Sequence, residues 1–198
     1  MRFGAREFAN DGATIYSAVC SACHAPNGMG TRYPGLAPNP SIANADFLSI
    51  ASDDYLFSTI KIGRPGRPML PWGDRVNGFT DDEIRGVIAY IRSLGGGVQA
   101  TPDTKPQIWA TGDAQTGERL FTANCSGCHG RGGIGGEGPA LANTAFLQAA
   151  TDTFLVATIT NGRRGTVMQG FANGSPTRPV LTQAEIEAIV VYLRTLKK

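Results

Sequence analysis

The clearest pattern of apolar positions lies in two stretches, one late in each half of the chain. Ile84, Val87, Ile88 and Ile91 recur at i, i+3, i+4 and i+7, and so do Ile186, Ile189, Val190 and Leu193. One apolar stripe per stretch predicts an amphipathic helix. Both helices open on the same signal. Thr80 with Glu83 and Thr182 with Glu185 form capping boxes, while Phe79 opposite Ile84 and Leu181 opposite Ile186 have the spacing of a hydrophobic staple. Gly95 follows Leu94 as a C-terminal stop. Shorter helices are predicted over 11–20 and 53–62, with counterparts near 116–125 and 152–160. No alternating run is long enough for a strand. Each half therefore reads as a helix, a Gly/Pro loop, one or two short helices, a second loop and an amphipathic terminal helix.

The halves are copies of each other. The segment from Gly12 to His24 matches that from Gly117 to His129 at an offset of 105, and Ala43 to Leu48 matches Ala142 to Leu147 at 99. The offset of 99 persists through Gly63/Gly162 and Met69/Met168, and Phe79 to Leu94 matches Leu181 to Leu196 at 102. The changes of offset mark two indels in Gly/Pro-rich stretches, where loops absorb them. Self-similarity on this scale predicts two domains, 1–95 and 113–198, joined by a linker over 96–112. Trp109 within that linker is expected to dock on one of the domains.

Composition raises a problem for such small domains. The chain has 198 residues, of which 17% are charged, with 26 Gly and 12 Pro, so loops outweigh regular structure. Three short helices in about 90 residues bury a modest core, and domains of that size often need an internal filler. Charge is nearly balanced, 18 Lys and Arg against 16 Asp and Glu, which argues against a nucleic-acid partner. No run approaches the 18 or so apolar residues of a membrane helix, and the first twelve residues lack the apolar core of a signal peptide.

The filler is written in the soft and nitrogen ligands. All four Cys and both His belong to two C-x-x-C-H pentapeptides, Cys20 to His24 and Cys125 to His129. That spacing is the attachment signature of c-type haem. Two thiols one helical turn apart can add to the two vinyl groups on one porphyrin edge, and the adjacent His then turns a ring nitrogen to the iron. A ligating His normally donates its other ring N–H to a carbonyl; Pro40 and Pro139, in matching Pro-x-apolar-Ala-Asn contexts, are the candidates. A zinc ribbon would bring its pairs within about 20 residues, and a thioredoxin-like redox pair would sit in a βαβ unit. Neither context is present.

These motifs resemble the class I cytochromes c, and specifically dihaem proteins built of two such domains in tandem. The resemblance covers nearly the whole chain apart from the linker and the first ten or so residues. It implies an all-α fold in which each domain wraps a few short helices around one covalent haem c, so that two haems and two irons are the cofactors. Cys20, Cys23, Cys125 and Cys128 are then the attachment residues, and His24 and His129 the proximal ligands. With no spare His, the sixth ligand must be sought among four Met. Met1 is terminal, and Met29 lies close behind His24 with Ile134 as its counterpart, an apolar loop residue. Met69 and Met168 occupy the same place in the repeat, in polar Gly-rich loops where a core filler is out of place, and are assigned as the axial ligands. Trp72 and Phe171 resemble the family's haem-packing aromatics. Arg64 and Arg163 are candidates for the propionates, and Tyr90 and Tyr192 for packing on the haem or the first helix.

Iron held by His and Met on both faces offers no open position, which suits single-electron transfer at fairly high potential. The expected partners are redox proteins, as donors and acceptors: a dehydrogenase, an oxidase or another cytochrome. The resemblance places haem attachment outside the cytoplasm, in the periplasm or an equivalent compartment. Two alternatives remain open. One is a haem enzyme of peroxidase or sulfur-compound dehydrogenase type, disfavoured because no Cys or His is left for catalysis. The other is the electron-transfer subunit of a larger dehydrogenase or oxidase complex.

Overall fold

The computed structural model describes residues 11–73, 78–175 and 178–196. Two compact units divide the chain between Thr101 and Pro102, inside the stretch 96–112. Both are helical, and among the described residues extended pairing is limited to isolated bridges.

In the first unit Asp11 caps α1 (Gly12–Ile15) by accepting the Thr14 amide at 2.8 Å. The helix runs on through a π-helical segment (Tyr16–Cys20) into α2 (Ser21–His24), four residues beyond the predicted end. It stops at Ala25, whose φ of +63° breaks the helix. Asn44 caps α3 (Ala45–Leu48), Ser52 caps α4 (Asp53–Ile62), and the Thr80/Glu83 capping box opens α5 (Asp81–Leu94). The stripe Ile84, Val87, Ile88 and Ile91 is buried throughout, each side chain contributing about 1.5–3 kcal/mol of burial. α1 crosses α5 at Gly12, where a Cβ would collide with the Gly86 carbonyl. Beside that contact the rings of Tyr16 and Tyr90 meet at 5.3 Å.

The second unit repeats the plan. Asp113 caps α6 (Ala114–Asn124), which leads through Cys125 into α7 (Ser126–His129) and a 3₁₀ turn (Arg131–Gly133). Asn143 caps α8 (Thr144–Ala149), Thr151 caps α9 (Asp152–Asn161), and the Thr182/Glu185 box opens α10 (Gln183–Thr195). Here Gly117 meets the Ala188 carbonyl with the same lack of room for a Cβ, and Phe121 meets Tyr192 at 5.5 Å. Close crossing of the first and last helices thus fixes one wall of each unit.

An ion pair ties α5 to α4, and its more deeply buried copy ties α10 to α9. Arg92 donates to Asp53 Oδ1 at 2.7 Å and to the carbonyls of Leu48, Ala51 and Val98. Arg194 donates to Asp152 Oδ1 at 2.6 Å and to the carbonyls of Leu147 and Ala150. The second pair does more. Asp152 Oδ2 also accepts the backbone amides of Trp109 at 2.6 Å and Ala110 at 2.7 Å, and Trp109 Nε1 donates to Thr153 Oγ1. Trp109 therefore docks on the second unit, with Lys105 Nζ 3.5 Å from its ring centroid. On the other side, the Thr101 amide donates to Ser49 O in the first unit. The stretch 96–112 is held from both ends.

Candidate haem sites

The pentapeptide lies at the end of the first helical run in both units, so each thiol pair spans one turn and the His follows on the last helical residue. None of the four Cys forms a disulfide; Cys23 and Cys128 are exposed, and Cys20 and Cys125 are partly buried. Burial, and then the neighbouring thiol, pushes Cys20 up to about 11 and Cys125 up to about 12. A redox-active C-x-x-C pair needs the opposite shift, since its attacking sulfur works as a thiolate. Nor do three His, Cys, Asp or Glu side chains converge among the described residues as a zinc site would require.

Each imidazole is aimed by a proline carbonyl. His24 Nδ1 lies 2.9 Å from Pro40 O, and His129 Nδ1 lies 2.9 Å from Pro139 O. These are the two carbonyls expected from the repeated Pro-x-apolar-Ala-Asn pattern. A carbonyl can only accept, so Nδ1 carries the proton and Nε2 is left with its lone pair, the state a metal ligand needs. Burial lowers the pKa of both rings, against the opposing effect of the proline carbonyls. Arg163 lowers that of His129 further. Neutral imidazole is therefore the favoured form.

The backbone after each His is wound tightly to make this possible. Ala25 and Gly130 occupy the same place with φ of +63° and +74°. The next turn closes back on the His carbonyl, from Gly30 N at 2.9 Å in one unit and Gly135 N at 2.7 Å in the other. Gly138 has a steric reason: a Cβ there would lie 2.8 Å from His129 Cε1 and Nδ1. The longer loop of the first unit folds onto the motif itself, with Thr31 Oγ1 donating to Cys23 O and Tyr33 Oη to Ala22 O.

Met69 and Met168 stand at matching points of matching loops. The Arg64 amide donates to Met69 O at 2.8 Å, and the Arg163 amide to Met168 O at 2.6 Å, closing a tight loop that starts at a positive-φ glycine, Gly63 or Gly162. Beyond each Met the chain is pinned to the end of a helix. Trp72 and Gly73 amides donate to Ile60 and Lys61 carbonyls of α4, and Phe171 and Ala172 amides to Ile159 and Thr160 carbonyls of α9. The orphan carbonyls of a helix C-terminus thus set the position of the Met loop.

The accompanying residues divide. Tyr90 and Tyr192 pack on the first helix of their unit. Arg64 turns to Thr59 Oγ1 at 2.8 Å and Tyr55 Oη at 3.4 Å, whereas in the second unit the position of Tyr55 is Phe154. Thr158, the counterpart of Thr59, has a buried hydroxyl with no hydrogen-bond partner, as does Thr160. Phe171 is buried, and Trp72 is half-buried. Met29 and Ile134 are exposed loop residues. Sequence reasoning passed over Arg92, Arg194 and the strained Ala25. The first two could have been found from their recurrence opposite Asp53 and Asp152.

The sequence matches the family described as cytochrome c oxidase, cbb3-type, subunit III, over residues 7–91 and again over 112–193. It is 31% identical over 194 residues to the cbb3-type cytochrome c oxidase subunit FixP of Bradyrhizobium diazoefficiens, covering 93% of this chain and 60% of that protein. It is 26% identical over 198 residues to subunit CcoP of Rhodobacter capsulatus, covering 94% and 62%. The chain thus spans about 60% of the length of these relatives. In fold it is similar to a chain of the reducing HAO-like protein complex of Kuenenia stuttgartiensis, with a TM-score of 0.56 at 20% identity over 94% of this chain and 96% of that one.

Proposed function

Since the chain belongs to the family of cbb3-type cytochrome c oxidase subunit III, matched once in each half, we propose that it passes single electrons between redox proteins through two His/Met-ligated haems. It is an all-α protein of two cytochrome c repeats, and two covalently bound haems c are its cofactors. The haems supply one-electron iron chemistry; the polypeptide holds, orients and shields them. Cys20 and Cys23, and Cys125 and Cys128, form the thioethers. His24 and His129 would supply the imidazole ligands, and Met69 and Met168, carried by the second loop, the thioether ligands.

The observation that carries this reading is the lock on the two imidazoles. Both Nδ1 atoms are engaged by proline carbonyls at 2.9 Å, so each Nε2 is fixed in direction and tautomer before any ligand binds. The donor set fits: two thiols on one helical turn, one oriented imidazole and one loop thioether per unit. In the second unit the partnerless hydroxyls of Thr158 and Thr160 supply buried polar atoms for a group the polypeptide does not provide.

With every Cys and His engaged, no side chain of either type is left for catalysis, which supports a carrier over a peroxidase or sulfur-compound dehydrogenase. The partners are an electron donor and an acceptor of redox-protein type, and the names of FixP and CcoP, subunits of a cytochrome c oxidase, favour an oxidase as acceptor. The site of action is extracytoplasmic, where c-type haem is attached. Among the described residues no helix is long and apolar enough to cross a membrane.

A pyridine haemochrome assay on the holoprotein should give two haems c per chain, and a redox titration two one-electron steps. Met69→Ala and Met168→Ala should each remove part of the far-red charge-transfer band of Met-ligated ferric haem. One haem per chain, a single two-electron step, or rapid cyanide binding at one haem would overturn the reading, the last in favour of an enzyme.

A further inference from the structure

The two Met loops differ in what covers the aromatic three residues beyond the methionine. In the first unit Trp72 stacks on Phe79, centroids 5.3 Å apart and planes 12° from parallel. In the second unit Leu181 replaces Phe79, and Arg178 stands in the longer stretch that precedes it. Its guanidinium carbon lies 5.2 Å from the centroid of Phe171. Arg178 Nη1 donates to Gln169 Oε1 at 3.0 Å and Nη2 to Asn173 O at 3.4 Å, and Nε is buried.

Arg178 is also held by its own backbone. Ser175 N donates to Arg178 O at 3.0 Å and Arg178 N to Ser175 O at 3.1 Å, a tight two-way bridge. The positive charge is therefore fixed in place by neutral groups, an amide, a carbonyl and a ring face. It reaches, through Gln169, the residue directly after Met168.

We propose that Arg178 is a positioning residue that raises the reduction potential of the haem in the second unit and steadies the Met168 loop. This rests on Met168 being the axial ligand there. The sign follows from charge: oxidised haem carries one more positive charge than reduced haem, so a nearby fixed cation favours the reduced form. A single charge acting through protein shifts such an equilibrium by roughly tenfold, which for a one-electron couple is about 59 mV.

The test is a spectroelectrochemical titration of the full-length holoprotein carrying Arg178→Gln, Arg178→Lys or Met168→Ala. Met168→Ala marks which midpoint belongs to the second unit, because it removes the thioether. Arg178→Gln should lower that midpoint by roughly the tenfold equivalent and leave the other in place. Arg178→Lys, which keeps the charge and loses the fork, should retain at least half of the difference. The inference is overturned if Arg178→Gln moves neither midpoint, if it moves the one that Met168→Ala spares, or if the lysine variant falls as far as the glutamine variant. If Met168→Ala leaves both midpoints and the far-red band unchanged, the ligand assignment itself fails and this inference falls with it.

Discussion

Replacing Asp152 by Ala destabilises the second unit several times more than replacing Asp53 by Ala destabilises the first, although the two aspartates occupy the same place in the repeat. Both open a helix, so the loss of a favourable charge at a helix N-terminus cancels in the comparison. The difference lies in burial. The Asp152 side chain is 1% exposed against 64% for Asp53. Without Asp152, Arg194 keeps two carbonyl acceptors but holds a buried charge with no counter-ion, and the Trp109 and Ala110 amides lose their acceptor. Removing one member of a buried pair costs about 3–5 kcal/mol. Without Asp53, Arg92 still donates to Leu48, Ala51 and Val98 carbonyls, and water reaches the open side, so the cost is about 1 kcal/mol. At roughly 4–8 °C per kcal/mol for a unit of this size, Asp152→Ala should lower the melting point of the second unit by roughly 15–30 °C. Differential scanning calorimetry of the holoprotein measures both transitions. Equal losses in the two variants, or an Asp152→Ala protein within about 1 kcal/mol of the parent, would refute the reasoning.

Gly117→Ala forces a methyl into the Ala188 carbonyl and should cost about 1–3 kcal/mol in urea unfolding of the second unit; an unchanged midpoint would mean that α6 and α10 can separate freely. Ala25→Gly should stabilise the first unit by about 1–3 kcal/mol, because φ of +63° with ψ of 158° is a region used almost only by glycine. Its thermal midpoint should rise, not fall. Burial pushes the Tyr16 phenol up to about 12 from an unfolded value of about 10. The neutral form is thus favoured by folding, and this share of stability is complete below about pH 10 and lost as pH rises from there to about 12. In alkaline unfolding, Tyr16→Phe should flatten that limb; a curve that superposes on the parent would reject the assignment.

Much of the architecture was legible because it rests on local signals. The capping boxes at Thr80 and Thr182 formed as read, α4 runs over 53–62 as predicted, and the two imidazoles found the carbonyls of Pro40 and Pro139. The extension of the first helix from Cys20 to His24 was missed because its end is set by a strained Ala25, a residue that carries no stop signal by itself. Its counterpart Gly130 carried the hint. Arg92 and Arg194 recur in the repeat, but their carbonyl acceptors were illegible for another reason. On a helical wheel each borders the apolar stripe as a solvated charge would, and only the folded chain brings carbonyls from 40 or more residues away to receive it. The role of Arg178 depends on the path of a loop that no periodicity encodes.

The grip of Asp152 on Trp109 and Ala110 also says where one cytochrome ends and the next begins. Aligned by motif, the second copy starts near Gly112, but its folded counterpart already includes Gln107, whose carbonyl accepts the Asp152 amide. A module excised or transplanted from residue 113 onward would carry the whole haem motif and still leave a buried carboxylate facing water where two amides belong. One beginning at Pro102 keeps them. For dividing this protein into single-haem pieces, or for joining its second half to another carrier, the natural joint is the peptide between Thr101 and Pro102.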